Sequence, residues 1–285
     1  MAGESTGVTG VVTRAEVKAG AERLGLGGGA VCLHASLRSF PRLEDGPATL
    51  IDGLLAAGTT VLVATMANEA FSVPAPVDDR PARNAIDYAD KDRLAAESPW
   101  PGTSAIYDRT STEVDSWLGA TSAYVVARPE RIRSRRSPEF SAIGALAADL
   151  MAGETGEDVF GPLRALVALE GGVLLAGVSL IRMTLLHLAE TVAGRRPFIR
   201  WMRGADGKTI RVRGGECSLG FDSLSPVLAP IERTTLVGAS LWRAFPAREV
   251  VELAAEAIRN DPWITHCDDS NCTDCADAIA GGPID

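Results

Sequence analysis

The chain has no long hydrophobic run. None of its apolar stretches approaches the roughly 20 residues that a membrane-crossing helix needs, and the polar, Gly-rich segment Met1 to Gly10 has no apolar centre of the secretory-signal kind. The expectation is a cytoplasmic protein with no membrane partner. A basic excess is also missing. Against 37 Asp and Glu stand only 28 Lys and Arg, a net charge of −9, which argues against nucleic acid as a partner and suits a polycationic small molecule. Cysteine is sparse and uneven. Cys32 sits alone in an apolar run, whereas Cys267, Cys272 and Cys275 fall within nine residues, with Cys217 upstream. Without a secretory signal, such a cluster favours a metal over disulfides. Apolar residues are plentiful, 46% of 285, enough for one large α/β core or two closely packed lobes.

The pattern is organised around Met183-Thr-Leu-Leu-His-Leu-Ala-Glu190. The stretch before it, Gly172 to Ser179, is short, rich in Val and Leu and bounded by glycines, and reads as a buried strand. Leu185 to Ala193 is rich in good helix formers and lacks strand alternation, so a helix begins near Met183 to Leu185, with Thr184 as its N-cap. His187 and Glu190 are three apart and share one helix face. A carboxylate on one imidazole nitrogen fixes the tautomer and raises the basicity of the other, which could then take a proton from an amine, a hydroxyl or water. A core histidine tied to its neighbour is the competing reading. The carboxyl end of a strand beside a helix start is where open α/β sheets place ligands.

Along the rest of the chain, Thr13-Arg-Ala-Glu16 has the form of a capping box that opens a helix to about Leu24. Ala30 to His34 is a buried strand, followed by Ala35-Ser-Leu-Arg-Ser39 at its carboxyl end. There, backbone and hydroxyl donors with Arg38 can meet an anion. A helix over Pro47 to Ala57 precedes a strand over Thr59 to Thr65. Residues 71–101 are rich in Pro and charge and nearly aperiodic, which reads as a long insertion near the ligand site (the acceptor side, on the resemblance given below), or as a solvated loop. Helices follow over Ala120 to Val126, from Phe160 toward Leu169, and over Ala247 to Asn260. Phe198 to Val212 reads as a hairpin turning at Ala205-Asp-Gly-Lys208. Arg131, Arg133, Arg135 and Arg136 make a basic cluster, either a phosphate site or a solvated face. Cys272 and Cys275 form a C-x-x-C with His266 six residues upstream. Cys217 is the expected fourth ligand, with Cys267 as the alternative, in a closed, structural zinc site.

Three ordered motifs carry a family resemblance. Thr184-Leu-Leu-His-Leu-Ala-Glu190 resembles the Thr-Ser-Leu-His-Leu-Ala-Glu signature of the aminoglycoside 3-N-acetyltransferases, the antibiotic acetyltransferases outside the GNAT fold. Leu33-His-Ala-Ser-Leu-Arg-Ser39 resembles their Val-His-Ser-Ser-Leu-Arg-Ser. Val237-Gly-Ala-Ser-Leu-Trp-Arg243 resembles a third motif near their end. One branch of the family also carries the His-x5-Cys-x2-Cys ending with an upstream cysteine before a Phe. Two segments depart from the pattern: Ser137 stands where a histidine is expected, and Leu118 replaces a methionine.

The resemblance implies acetyl-CoA as co-substrate and an aminoglycoside acceptor, with resistance as the outcome. It implies His187 as base, oriented by Glu190, with Thr184 assisting. It places Ser36, Leu37, Arg38, Ser39, Ser116 and Ser141 by the coenzyme, and Asn68, Glu69 and Glu190 by the acceptor. The alternatives are a family member acting on another amine, a zinc-dependent hydrolase, and a non-enzymatic descendant. The expected fold is three-layer α/β/α with a mixed central sheet and a smaller β-rich lobe over residues 195–235, in one unit spanning 13–285 after a flexible start over 1–12, monomeric or homodimeric.

Overall fold

The computed structural model describes residues 10–98 and 105–285. Most of the start expected to be flexible therefore lies outside the described residues. Val12 is already pinned, its N–H donating to the Arg42 carbonyl at 2.8 Å. The described strands are β1 (Ala30–Ala35), β2 (Thr60–Ala64), β3 (Ile132–Arg133), β4 (Phe140–Ile143), β5 (Gly172–Ala176), β6 (Phe198–Arg203), β7 (Thr209–Gly214), β8 (Arg233–Val237) and β9 (Ser240–Pro246). Seven form one sheet in the order β3-β4-β2-β1-β5-β9-β8, and β6 with β7 forms a second. The centre, β2-β1-β5, is parallel, and antiparallel pairs close both flanks. The sheet is mixed, as expected.

The central strands are apolar at nearly every position because both faces are covered. Val31, Leu33, Val61, Val63, Leu174 and Ala176 point into one core, under the helices Arg14–Arg23 and Pro47–Ala56. The intervening residues Cys32, Leu62, Val173 and Leu175 point into the other, under Gly161–Ala168, Leu185–Val192 and Ala247–Asn260. This alternation makes the three layers. The Thr13–Glu16 capping box forms in both directions. The β6–β7 hairpin turns where its sequence indicates, with Gly207 at φ 77° and the Gly204 N–H donating to Lys208 O at 2.9 Å.

The segment 71–101, described as far as residue 98, corrects the aperiodic reading. Within its described part, Tyr88–Glu97 is an α-helix capped by Asp87, whose carboxylate accepts the Asp90 N–H at 3.0 Å. Its periodicity is carried by charges rather than apolar residues: Arg93 pairs with Asp90 and Glu97 one turn to either side. The segment packs on the hairpin. Asn84 donates to the Ile199 carbonyl at 2.7 Å and accepts the Ile199 N–H at 2.9 Å, and Trp201 and Arg211 both bond Asp79. Its acidic groups Asp79, Asp90, Asp92 and Glu97 are thus already paired with arginines of this chain.

Asn84 is buried and satisfies two backbone groups at once. Asn84→Ala should therefore lower unfolding stability by about 2–3 kcal/mol in a urea titration, and speed proteolysis within residues 71–98.

Candidate active site

The three parallel strands β1, β2 and β5 end on the same edge, and a cleft of about 810 Å³ opens there. Ser36, Leu37 and Arg38 enter it after β1, Met66 and Asn68 after β2, and Arg182, Thr184 and His187 after β5. This is the carboxyl-end crevice that ligands use in open α/β sheets. Hairpin residues Arg200 and Gly214, followed by Gly215 and Glu216, form a further wall.

His187 is buried near the start of the helix Leu185–Val192. Its Nδ1 lies 2.8 Å from Glu190 Oε2, the pairing that the i,i+3 spacing implies. Nδ1–H donates to the carboxylate, so the neutral ring keeps its lone pair on Nε2. The Phe221 ring lies 4.8 Å from the imidazole, tilted by 60°. Gly215 lies against the imidazole so closely that any Cβ would overlap the ring. The other oxygen of Glu190 accepts from Arg195 Nη1 at 2.6 Å. Arg195 in turn bonds Thr265 Oγ1 at 2.7 Å and the Pro262 carbonyl. Arg195, Gly215 and Thr265 carry no motif and went unnoticed in the sequence. A guanidinium five residues after Glu190, beyond the end of the helix, is visible only once the chain turns back.

The other expected residues divide. Thr184 stands at the N-cap position and lines the cleft, but with helical dihedrals its hydroxyl makes no capping bond. Ser36, Leu37, Arg38, Asn68 and Ser116 also line the cleft. Glu69 sits just behind that wall, its N–H held by Asp115 and its carboxylate 3.4 Å from Ser116 Oγ. Ser39 is turned away, bonded to Ser240 Oγ and to the Ser36 carbonyl, both at 2.7 Å. Ser141 is fully buried on β4, bonded to Thr65 Oγ1 at 3.1 Å. Neither is brought to the cleft, because both hydroxyls are spent on neighbouring strands.

The basic cluster also divides. Arg133 is buried and donates to the carbonyls of Ser111, Thr65 and Glu113, and Arg131 donates to those of Arg128, Thr110 and, shared with Arg133, Ser111. Both tie loops together, and only Arg135 and Arg136 remain solvated.

The cleft is electrically divided. Arg38 and Arg182 are exposed on one side. The neighbouring His34 is pushed down to about 4, first by burial and then by Arg182, so it is neutral. Glu139 and Glu216 line another part. Burial pushes the Glu139 carboxyl up to about 7, helped by the Asp115 and Glu216 carboxylates and opposed by Arg133. Burial also raises Glu216, which pairs with Arg200 at 2.6 Å. Glu139 makes no side-chain hydrogen bond among the described residues, unlike most carboxylates that burial affects. Trp117 is 54% exposed at the rim.

Below the dyad, Cys217, Cys267, Cys272 and Cys275 place their Sγ atoms within 4.8 Å of one another. Cys267 and Cys275 are 3.7 Å apart, near the about 3.8 Å that tetrahedral thiolates at 2.3 Å from one ion would show. His266 is not part of this group. Its Nδ1 donates to the Cys267 carbonyl at 2.6 Å and its ring stacks on Trp263. Cys267 turns inward instead, its N–H meeting Cys275 Sγ at 3.5 Å, and the adjacent side chain is sent the other way. Four thiols leave no open position for a hydrolytic water, which disfavours the zinc-hydrolase alternative.

A carboxylate-oriented imidazole facing a cleft at the ends of parallel strands is an arrangement that suits an α/β enzyme. The family model described as aminoglycoside 3-N-acetyltransferase matches residues 32–259. Aminoglycoside N(3)-acetyltransferase VIII of Streptomyces fradiae is 29% identical, covering 88% of this chain and 93% of its own. Aminoglycoside N(3)-acetyltransferase VII of Streptomyces paromomycinus is 32% identical over 85% and 90%. The apoenzyme structure of aminoglycoside acetyltransferase AAC(3)-IVa superposes with a TM-score of 0.74 at 25% identity, over 97% of this chain and all of the other. A variant of that enzyme has been solved with a gentamicin bound. The chain belongs to the aminoglycoside 3-N-acetyltransferase family. Among the described residues, no helix is long and apolar enough to cross a membrane.

Arg195 is 8% exposed and compensates a carboxylate that is 14% exposed. Arg195→Met should strand that charge and cost about 3–5 kcal/mol, read as a lower urea midpoint with an unchanged m-value.

Proposed function

We propose that this chain transfers the acetyl group of acetyl-CoA to the 3-amino group of an aminoglycoside, with His187 as general base. The observation that carries the reading is the 2.8 Å His187–Glu190 contact beside the cleft, in a member of this family. Nε2 takes the proton of the acceptor amine as its nitrogen attacks the thioester carbonyl carbon. The tetrahedral intermediate then collapses, the C–S bond breaks, and the sulfur leaves with the proton that His187 returns. Glu190 holds the imidazole in the required tautomer and balances its transient charge. The uncommitted Thr184 hydroxyl is placed to donate to the developing oxyanion. Direct transfer fits a cleft with no cysteine in its lining among the described residues, while Cys32 on β1 is buried and its thiol pushed up to about 12, out of nucleophilic range.

The two sides of the cleft suit the two substrates. Arg38 and Arg182, both exposed, favour the phosphates of the coenzyme, with Ser36, Leu37 and Ser116 nearby. Glu139 and Glu216, with Asn68, favour the ammonium groups of the acceptor. The four cysteines would hold a structural zinc ion, with Cys267 in the place first expected for His266. Such an ion supplies a cross-link between two loops and takes no part in the chemistry.

His187→Ala should cut acetyl transfer by about 10²–10⁴-fold while calorimetry shows coenzyme A affinity unchanged. Full turnover in this variant would remove His187 as the base.

Glu139 gives a pH signature. Its folded value of about 7 lies above the usual 4.5, so the folded state holds the proton more tightly and stability falls as pH rises from 4.5 through 7. Glu139→Gln should match the parent's stability near pH 4 and exceed it at pH 8 by about 2 kcal/mol, while raising KM for the aminoglycoside. A variant less stable at pH 8, or with unchanged KM, would contradict the assignment.

A further inference from the structure

The cysteine cluster and the catalytic dyad share two loops. Cys217 follows β7, in a stretch that also carries Gly215 and Phe221. These two residues bracket the His187 ring, Gly215 in contact and Phe221 at 4.8 Å. Cys267 ends the turn that carries Pro262 and Thr265, the two groups that hold Arg195, and Arg195 holds Glu190. The wall against the imidazole and the far end of its carboxylate relay thus belong to the same two loops that supply Cys217 and Cys267.

Neither loop has ladder hydrogen bonds of its own at the cluster, since residues 215–220 and 261–272 lie outside helices and strands. They are pressed together where Gly220 meets the Thr265 and His266 carbonyls with no space for a Cβ. A second junction is the four thiols.

We propose that the four-cysteine cluster, loaded with one zinc-class divalent cation, positions the catalytic dyad from below, and that Thr265 is the positioning residue through which it acts on Glu190 and His187. The inference rests on the acetyl-transfer and zinc readings above. The cation fixes the distance between the two loops. One loop limits the imidazole plane, and the other anchors Arg195 and, through it, the Glu190 carboxylate. Loss of the ion frees both loops, while the coenzyme side, built after β1 and β2, stays in place.

The test uses the full chain and separates the two readings. Plasma emission on freshly purified protein should find about one zinc per chain, and a metal-free active protein would overturn the proposal together with the zinc reading. Thr265→Val, which keeps all four thiols, should retain that zinc. It should lower kcat at least tenfold with KM for acetyl-CoA unchanged, and Thr265→Ser should restore kcat. A readout independent of turnover is the low-field Nδ1 proton of His187 in the NMR spectrum, identified by its absence from His187→Ala. It should broaden or shift in Thr265→Val and return in Thr265→Ser. Graded chelation should lower kcat in step with zinc lost, and added zinc should reverse it. Wild-type kcat and an unmoved proton signal in zinc-replete Thr265→Val would overturn the coupling, whatever chelation does to folding.

Discussion

The Glu190 carboxylate is the constraint on which the site depends. It is largely withdrawn from water, and a carboxylate so placed is costly unless both oxygens are satisfied. One oxygen meets His187 Nδ1 and the other meets Arg195, so a single group links an imidazole on a helix to a cation beyond the helix end. Arg195 is in turn satisfied by Thr265 and Pro262, which draws a loop far along the chain under the helix. Orientation of the imidazole is therefore not local to the helix that carries it. It is inherited from a network that closes only in the folded chain, where each partner is fixed by the next.

The layered frame was legible because its signals are local. The capping box at Thr13, the uninterrupted apolar strands and the Gly207 turn each depend on neighbours within a few residues. The His187–Glu190 pair was legible for the same reason, since helix geometry brings i and i+3 together. What escaped depends on distant segments meeting. Arg195 needs Thr265, Gly215 needs the imidazole, and Glu139 takes its raised value from burial first and then from Asp115 and Glu216. The exchange of His266 for Cys267 shows the limit of ligand spacing. Both residues suit a metal, and only the direction of the turn decides which one faces inward. The helix at Tyr88–Glu97 escaped for a different reason: its pattern is electrostatic, with no buried face to reveal it.

Arginine does unusual structural service here. Arg133 and Arg131 join backbone carbonyls of separate loops, Arg83 does so at the C-terminal segment, and Arg200 neutralises Glu216 beside the cleft. A planar guanidinium can bridge several carbonyls at once where an ammonium cannot. Half of the basic cluster, Arg131 and Arg133, is scaffold, and the cleft's own lining arginines are Arg38, Arg182 and Arg200, the last paired with Glu216.

The acidic wall formed by Glu139 and Glu216 bears on what leaves the cleft as much as on what enters. On the proposed chemistry, each turnover converts one ammonium of the acceptor into a neutral amide. The product then carries less positive charge than the substrate that displaces it, while the wall is unchanged. Coulomb attraction through a partly desolvated cleft therefore favours the incoming molecule over the outgoing one. That preference would grow as Glu139 loses its proton above about pH 7, since Glu216 is already paired with Arg200.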